Sequence, residues 1–192
     1  GQTICNVTDC KIIKLFVDDE PFWLPQAKLL NYDRRLNMKS GTLDREILWE
    51  TPAGKQVLIR SRRLVSFTDR HVAAISYCVT LLNADAAVVI ASEMALPQSS
   101  ASASADDPRL ARAFADRVLH PRAAYSKGCR IVLCHATENS RLTLACATES
   151  TLESPFPHSC KTVHSPDFGQ VAYTIEARPG QPVCLSKYMV YH

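Results

Sequence analysis

His158, Cys160 and His164 are the first residues whose types and spacing could do chemistry. In an extended segment His158 and Cys160 point to the same side. His164 could then close around a metal, because imidazole and thiolate are ligands that hold zinc. A fourth ligand is not evident, and the preceding Ser154-Pro155-Phe156-Pro157 reads as loop. A loop with incidental His and Cys is the favoured reading. The densest acidic cluster is Asp18-Asp19-Glu20. Adjacent residues in a turn diverge, whereas glycosidic cleavage wants carboxyl groups roughly 5–10 Å apart across a substrate, so a charged turn is expected. Glu93 is a lone carboxylate without a visible partner. Cys134 and His135 are neighbours, which in a strand point apart. There is no G-x-S-x-G elbow, no phosphate-binding P-loop and no C-x-x-C. No catalytic, cofactor-binding or metal-ligating residue is therefore assigned, and no cofactor is implied.

Arg60 to Tyr77 concentrates charge in a segment that still alternates like a strand. Arg60 and Arg62 share one face with Leu58, Leu64 and Ser66. A nucleic-acid groove would interleave aromatics with that basic face, and none is there. Arginines paired with nearby Asp and Glu on a solvated face is the expectation. Arg63 falls on the other face with Ile59, Ser61, Val65 and Phe67. It should be buried against a carboxylate or lie at a domain boundary, since an unpaired buried charge is costly. Arg63, Asp69, Arg70 and His71 are expected to form a polar knot at a strand corner or against a neighbouring domain.

The elements that must position these residues are mostly strands. Lys11 to Val17 is rich in β-branched and aromatic residues. Glu46 to Glu50 leads through Thr51-Pro52-Ala53-Gly54-Lys55, a hairpin turn in which Pro sets φ early and Gly permits positive φ later. The return strand runs from Gln56 to Phe67, and strands follow from His71 to Leu81 and Ala87 to Ala91. Gln98 to Ala105 is a low-complexity surface loop. One helix is predicted over Asp107–Val118: Asp107 caps it, Pro108 suits its first position, Leu110, Phe114 and Val118 repeat every fourth residue, and Pro121 ends it. Strands resume at Arg130–Cys134, Leu142–Ala147, Val171–Ala177 and Val183–Val190. Strands joined by short turns point to an all-β antiparallel sandwich with one short helical excursion.

The chain has 192 residues, enough for one domain with a sizeable core. The hydrophobic fraction is 46%, the charged fraction 21% and the net charge +3. That composition is globular and only mildly basic, which argues against a dedicated nucleic-acid partner. No apolar run approaches the roughly 18 residues that cross a bilayer. No signal peptide is visible and the first residue is not Met, so a piece of a longer protein is expected. The eight cysteines are too sparse for a stapled scaffold. Reduced thiols in a cytoplasmic protein are expected, several of them buried as small hydrophobes. Asn6-Val7-Thr8 matches a glycosylation sequon and is read as a chance match.

Several runs resemble a known family: GQTICNVTDCKIIKLFVDDEPF; SGTLDREILWETPAGKQVLIRSRRLVSFTDRHVAAISYCVTLLNADAAVVIASE; DDPRLARAFADRVLHPR; NSRLTLACATES; and VAYTIEARPGQPVCLSKYMVYH. They are similar to the N-terminal domain of glycoside hydrolase family 65, which includes phosphorylases of maltose, trehalose and kojibiose. The likeness covers nearly the whole chain. It implies an antiparallel super-sandwich similar to the galactose mutarotase fold. Residues 1–192 would be part of that single N-terminal domain, an incomplete sandwich. The family's (α/α)6 barrel, with its general acid and phosphate site, would lie outside this chain.

The function this resemblance implies is support of that barrel, in a parent acting on an α-linked glucose disaccharide as a phosphorylase or hydrolase. The implied partners are the barrel of the same parent chain, with the disaccharide and inorganic phosphate bound mainly by the barrel, and a homodimer of the parent. The alternative is a carbohydrate-binding or relic module in a fusion, for example beside a sugar-phosphate phosphatase. Trp23, Trp49 and Tyr77 are its candidate sugar platforms, with core packing favoured for Trp49 and Tyr77. A mutarotase-like enzyme would need His and Glu converging in one cleft. Two residues depart from the family's habit. Cys10 stands where a turn glycine is usual, which would strain a backbone needing positive φ. Cys78 stands where an acidic residue is expected. A diverged, inactive homologue is left open by both. An incomplete sandwich should also show an open edge or an exposed apolar face.

Overall fold

The computed structural model describes residues 5–97 and 117–192. The predicted loop over Gln98–Ala105 and the predicted helix up to residue 116 lie outside them. Among the described residues there is no helix. The described residues form thirteen strands: β1 (Ile13–Val17), β2 (Glu20–Pro21), β3 (Lys28–Asn37), β4 (Thr42–Glu50), β5 (Gln56–Val65), β6 (Val72–Leu81), β7 (Ala86–Ala95), β8 (Leu119–Lys127), β9 (Arg130–Thr137), β10 (Thr143–Glu153), β11 (His158–Ser165), β12 (Phe168–Ala177) and β13 (Val183–Tyr191). They build two antiparallel sheets, one of five strands in the order β11-β12-β7-β1-β2 and one of eight in the order β3-β4-β5-β6-β13-β10-β9-β8. The last strand of the chain thus sits inside the larger sheet, between β6 and β10.

Turn chemistry fixes the registers. Val17 pairs with Glu20, so Asp18 and Asp19 are the two central residues of a tight hairpin, at φ +48° and +67°. Such a turn needs positive φ at both positions, and Asp tolerates it. The charged turn expected there is present. Gly54 takes φ +80° in the β4–β5 connection, where a side chain would be strained. Cys10 is not among the residues with positive φ. The glycine-type strain expected at that position is absent, and its side chain is instead buried in the core.

Alternation fills the space between the sheets. Ile47, Trp49, Val57, Ile59, Tyr77 and Leu185 face inward from the large sheet, and Leu15, Val88, Ile90, Val171 and Ile175 meet them from the small one. Gly169 of β12 lies at the closest approach. A Cβ there would stand 2.7 Å from Ile131 Cγ2 on β9 and 3.2 Å from Met94 Cγ on β7. Gly169→Val is expected to destabilise the domain by about 2 kcal/mol through overpacking, read as a lowered denaturation midpoint.

Two sequence expectations are corrected. Pro121 does not end a helix; it lies inside β8, where the pairing with β9 shifts register between Pro121 and Ala123. β8 is an edge strand, and an edge or a bulge tolerates a residue with no N–H to give. The segment His158–Ser165, expected as loop, is edge strand β11, paired along its length with β12. Seven of its eight residues are exposed, so it carries no apolar alternation to read.

Candidate functional site

The residues singled out for chemistry are held in structural roles. Arg60 Nε donates to Glu46 at 2.8 Å and Arg62 Nε to Asp44 at 2.5 Å, each pair directly opposed across β4 and β5. This is the solvated arginine–carboxylate face expected. Arg62 is the first cause that holds the Asp44 carboxyl below its usual range. Asp18 pairs with Lys55 and accepts from the Ala87 N–H at 3.0 Å, so it ties the β1–β2 turn to the body of the domain. Glu93 is buried, with one carboxylate oxygen on Lys14 at 2.9 Å and the other accepting from Gln170 at 2.8 Å. His135 is buried with Nε2 3.0 Å from Asp167, which also pairs with Arg117. Cys134 and His135 occupy consecutive strand positions and point apart.

His158, Cys160 and His164 all lie on β11, and they engage different groups. His158 Nδ1 is 3.4 Å from the Phe156 carbonyl, Cys160 Sγ is 3.7 Å from Cys129 Sγ, and His164 Nδ1 is 3.1 Å from Ser126 Oγ. Among the described residues no three His, Cys, Asp or Glu side chains converge as metal ligands. Trp49 and Tyr77 are core residues, as favoured. Trp23 is 61% exposed, and it lines neither groove described below.

One face does stand out. The larger sheet extends past the smaller one, and its inward face is left uncovered toward β3. Register places Leu36, Leu43, Arg63 and Ile75 in one row across β3 to β6, with Arg34, Arg45, Ser61 and Tyr77 in the next. Ile75 and Tyr77 are under cover, whereas Leu36 is 64% exposed, Val65 66% and Phe67 92%. Leu36, Leu43, Arg63, Val65, Phe67 and Ile75 line a groove of about 580 Å3 that also takes in Lys11, Arg70 and Met189. The exposed apolar face expected of an incomplete sandwich is present here.

Arg63 is half-buried in that groove with no carboxylate partner among the described residues. Burial pushes its guanidinium pKa down, and the neighbouring Arg45 and Arg34 push it further. The expectation of a carboxylate beside Arg63 is therefore corrected. So is the polar knot: the corner after β5 is held by Ser66 Oγ, which accepts from the Asp69 N–H at 2.9 Å, and Arg63 takes no part. A second, larger cleft of about 890 Å3 opens at the other end of the sandwich, between Asp18, Asp85, Phe156 and Arg178.

Two features were missed in the sequence. Lys187, on β13, is fully buried. Its Nζ donates to the carbonyls of Ile12 at 3.0 Å and Glu93 at 2.6 Å, so a cation from the large sheet caps backbone of the small one. Burial lowers its pKa to about 8. The alternation of Val183, Leu185, Lys187 and Met189 on one face was the available signal. The second is a disulfide. Cys78 and Cys184, directly opposed on β6 and β13, are bonded, while six cysteines are free. This corrects the expectation that all thiols are reduced.

The fold is that of the antiparallel two-sheet β-sandwiches, with one sheet outgrowing the other. It matches a putative kojibiose phosphorylase from the human microbiome with a TM-score of 0.79 at 16% identity, over 97% of this chain and 22% of that one. The chain belongs to glycosyl hydrolase family 65, whose N-terminal domain model matches residues 1–192. It is 32% identical to an alpha,alpha-trehalose phosphorylase of Thermoanaerobacter brockii over 192 residues, 100% of this chain and 25% of that protein. An uncharacterized glycosyl hydrolase of Mycobacterium tuberculosis is 37% identical over 191 residues, 100% of this chain and 24% of that one. The chain thus spans about a quarter of the length of these relatives. Among the described residues no helix is long and apolar enough to cross a membrane.

Proposed function

We propose that this chain is the non-catalytic β-sandwich of a family-65 phosphorylase or hydrolase acting on an α-linked glucose disaccharide, with trehalose the first candidate and kojibiose and maltose next. Its task is to carry the catalytic barrel of the parent chain, which binds the sugar and inorganic phosphate. The uncovered face around Phe67, Val65 and Leu36 carries this reading. An apolar patch rimmed by Arg63, Arg70 and Lys11 suits a covering layer that is apolar with acidic residues facing the arginines. Six free thiols favour a cytoplasmic parent and the Cys78–Cys184 bond opposes it; a homodimer of that parent fits the symmetry most soluble assemblies adopt.

Phosphate consumption by the full-length parent, assayed with trehalose, kojibiose and maltose, tests the activity. Turnover of one disaccharide that depends on phosphate or water supports the reading. No turnover with a folded barrel present sinks it. For the face, hydrogen exchange of the backbone at Leu36–Leu43 and Val65–Ala73 is expected to slow at least about tenfold in the full-length protein relative to the isolated chain. Phe67→Asp is expected to remove most of that protection. Equal exchange in both forms would mean the parent leaves this face bare.

A further inference from the structure

Two sulfurs far from the uncovered face lie close enough to react. Cys129 occupies the turn between β8 and β9, at the edge of the large sheet, and Cys160 sits on β11, at the edge of the small one. Their Sγ atoms are 3.7 Å apart, with Cys160 exposed and Cys129 half-buried. The surroundings hold them in this register. Cys160, Thr162 and His164 are alternate residues of one strand and so face the same way. Thr162 Oγ1 donates to the Gly128 carbonyl at 2.9 Å, and Ser126 Oγ and His164 Nδ1 are 3.1 Å apart. The three contacts run antiparallel, zipping β11 onto the β8–β9 hairpin. Behind them, the Ser150 N–H donates to the Cys129 carbonyl at 3.2 Å. Tyr173, paired in register with Cys160, donates its hydroxyl to the Ser150 carbonyl at 2.7 Å. The buried thiols Cys10 and Cys146 have no comparable access to solvent.

We propose that Cys129 and Cys160 are a thiol–disulfide exchange site that takes a low-molecular-weight disulfide and closes into a staple between the two sheets. One thiolate of the pair attacks a sulfur of the reagent and expels one small thiolate. The second cysteine, deprotonated, attacks the resulting mixed disulfide, forms the Cys129–Cys160 bond and expels the other small thiolate. The two protons leave with the released thiols. The cysteines are oxidised and the reagent is reduced. A disulfide needs its sulfurs about 2.05 Å apart, so the gap closes by side-chain rotation and a small approach of the two edges. The product joins layers that no backbone pairing connects at this edge.

The test uses the full-length protein that contains this chain, incubated with oxidised glutathione, then alkylated and digested with trypsin. Cys129 falls in the peptide Gly128–Arg130, and Cys160 in Leu142–Lys161, which also holds Cys146. The expected product is these two peptides linked, with fragmentation placing the bond on Cys160. Cys160→Ser should instead leave a stable mixed disulfide on Cys129. Backbone exchange of β11 and of the β8–β9 hairpin should slow in the oxidised wild type and stay unchanged in Cys160→Ser. Mixed disulfides that persist on the wild-type cysteines, a bond to Cys146, or both thiols left unmodified would each overturn the exchange site. A Cys129–Cys160 bond with unchanged exchange would overturn the staple.

Discussion

Replacing Cys78 and Cys184 together by alanine is expected to lower the unfolding free energy by about 4 kcal/mol. The bond closes a loop of 106 residues, so it removes much of the conformational freedom of the unfolded chain. The cost falls mainly on the unfolded state, because β6 and β13 already pair through their backbones on either side of the bond. Denaturant midpoints of the isolated chain, oxidised and with the double substitution, measure the difference. Alkylation of the denatured chain provides a count: six cysteines react before reduction and eight after it. If all eight react before reduction, the bond does not form in that preparation. The double variant should then cost less than about 1 kcal/mol.

Raising the pH from about 8 to 9 is expected to stabilise the domain. The direction follows from Lys187. Its pKa is lowered by burial from 10.5 to about 8, so between those values the folded chain sheds a proton that the unfolded chain keeps. Stability rises with pH wherever the unfolded state binds more protons. Over that one pH unit the gain is at most about 1.4 kcal/mol. Below pH 8 both states are protonated, and the cost of burying the ammonium is carried in full. Asp9, Glu93 and Cys10 around the ammonium oppose the shift without cancelling it. The buried Cys10–Cys146 pair opposes the rise above pH 9, because the Cys146 thiol is pushed up chiefly by its hydrogen bond with Cys10 and ionises only on unfolding. Above pH 10 the trend reverses, since the buried Tyr77, held protonated by burial, also ionises only on unfolding. Lys187→Met should flatten most of the rise while keeping the side chain's length. A wild-type curve that is level or falling between pH 8 and 9 would show that the ammonium keeps its ordinary pKa in the fold.

How much of this could be read from the sequence depended on where each strand sits. β5, β6 and β13 each bury one face, and their alternation gave class and boundaries to within a few residues, whereas β7, buried on both faces from Ile90 to Met94, was read from an apolar run that stops at Ala91, four residues short of its end. β3 and β11 are edge strands with little to bury, so KLLNYDRRLN and HSCKTVHS carried no such pattern. Only pairing with a neighbour makes them strands. The carboxylate partners of Arg60 and Arg62 were foreseeable because they lie one hairpin away in sequence. The partners of Lys187 were not, since Ile12 is 175 residues distant and offers only its backbone. The same holds for Cys78 with Cys184 and Cys129 with Cys160, whose meetings depend on strand order across the whole chain. The charged turn at Asp18 and Asp19 was legible, because adjacent carboxylates before a proline read as a strand end. The uncovered face was anticipated from the family resemblance and not from periodicity, which reports that Val65 and Phe67 are apolar but not that nothing covers them.

The position of β13 has a bearing on how such a chain is made. Among the thirteen described strands it is the last to be synthesised, yet it fills the middle of the large sheet, with β6 on one side and β10 on the other. Until it emerges from the ribosome, β3–β6 and β8–β10 are separate sheets, each with an open edge at the future seam. Contacts beside β13 join residues distant in sequence: the Cys10 N–H donates to Tyr191 Oη, and the Tyr191 hydroxyl donates to the Thr8 carbonyl. Joining the two halves of the large sheet is therefore late relative to the strands before it and dominated by distant pairings, which are slow to form. A nascent chain paused before Val183 would hold two adhesive edges apart, at the stage where chaperones capture incomplete sheets.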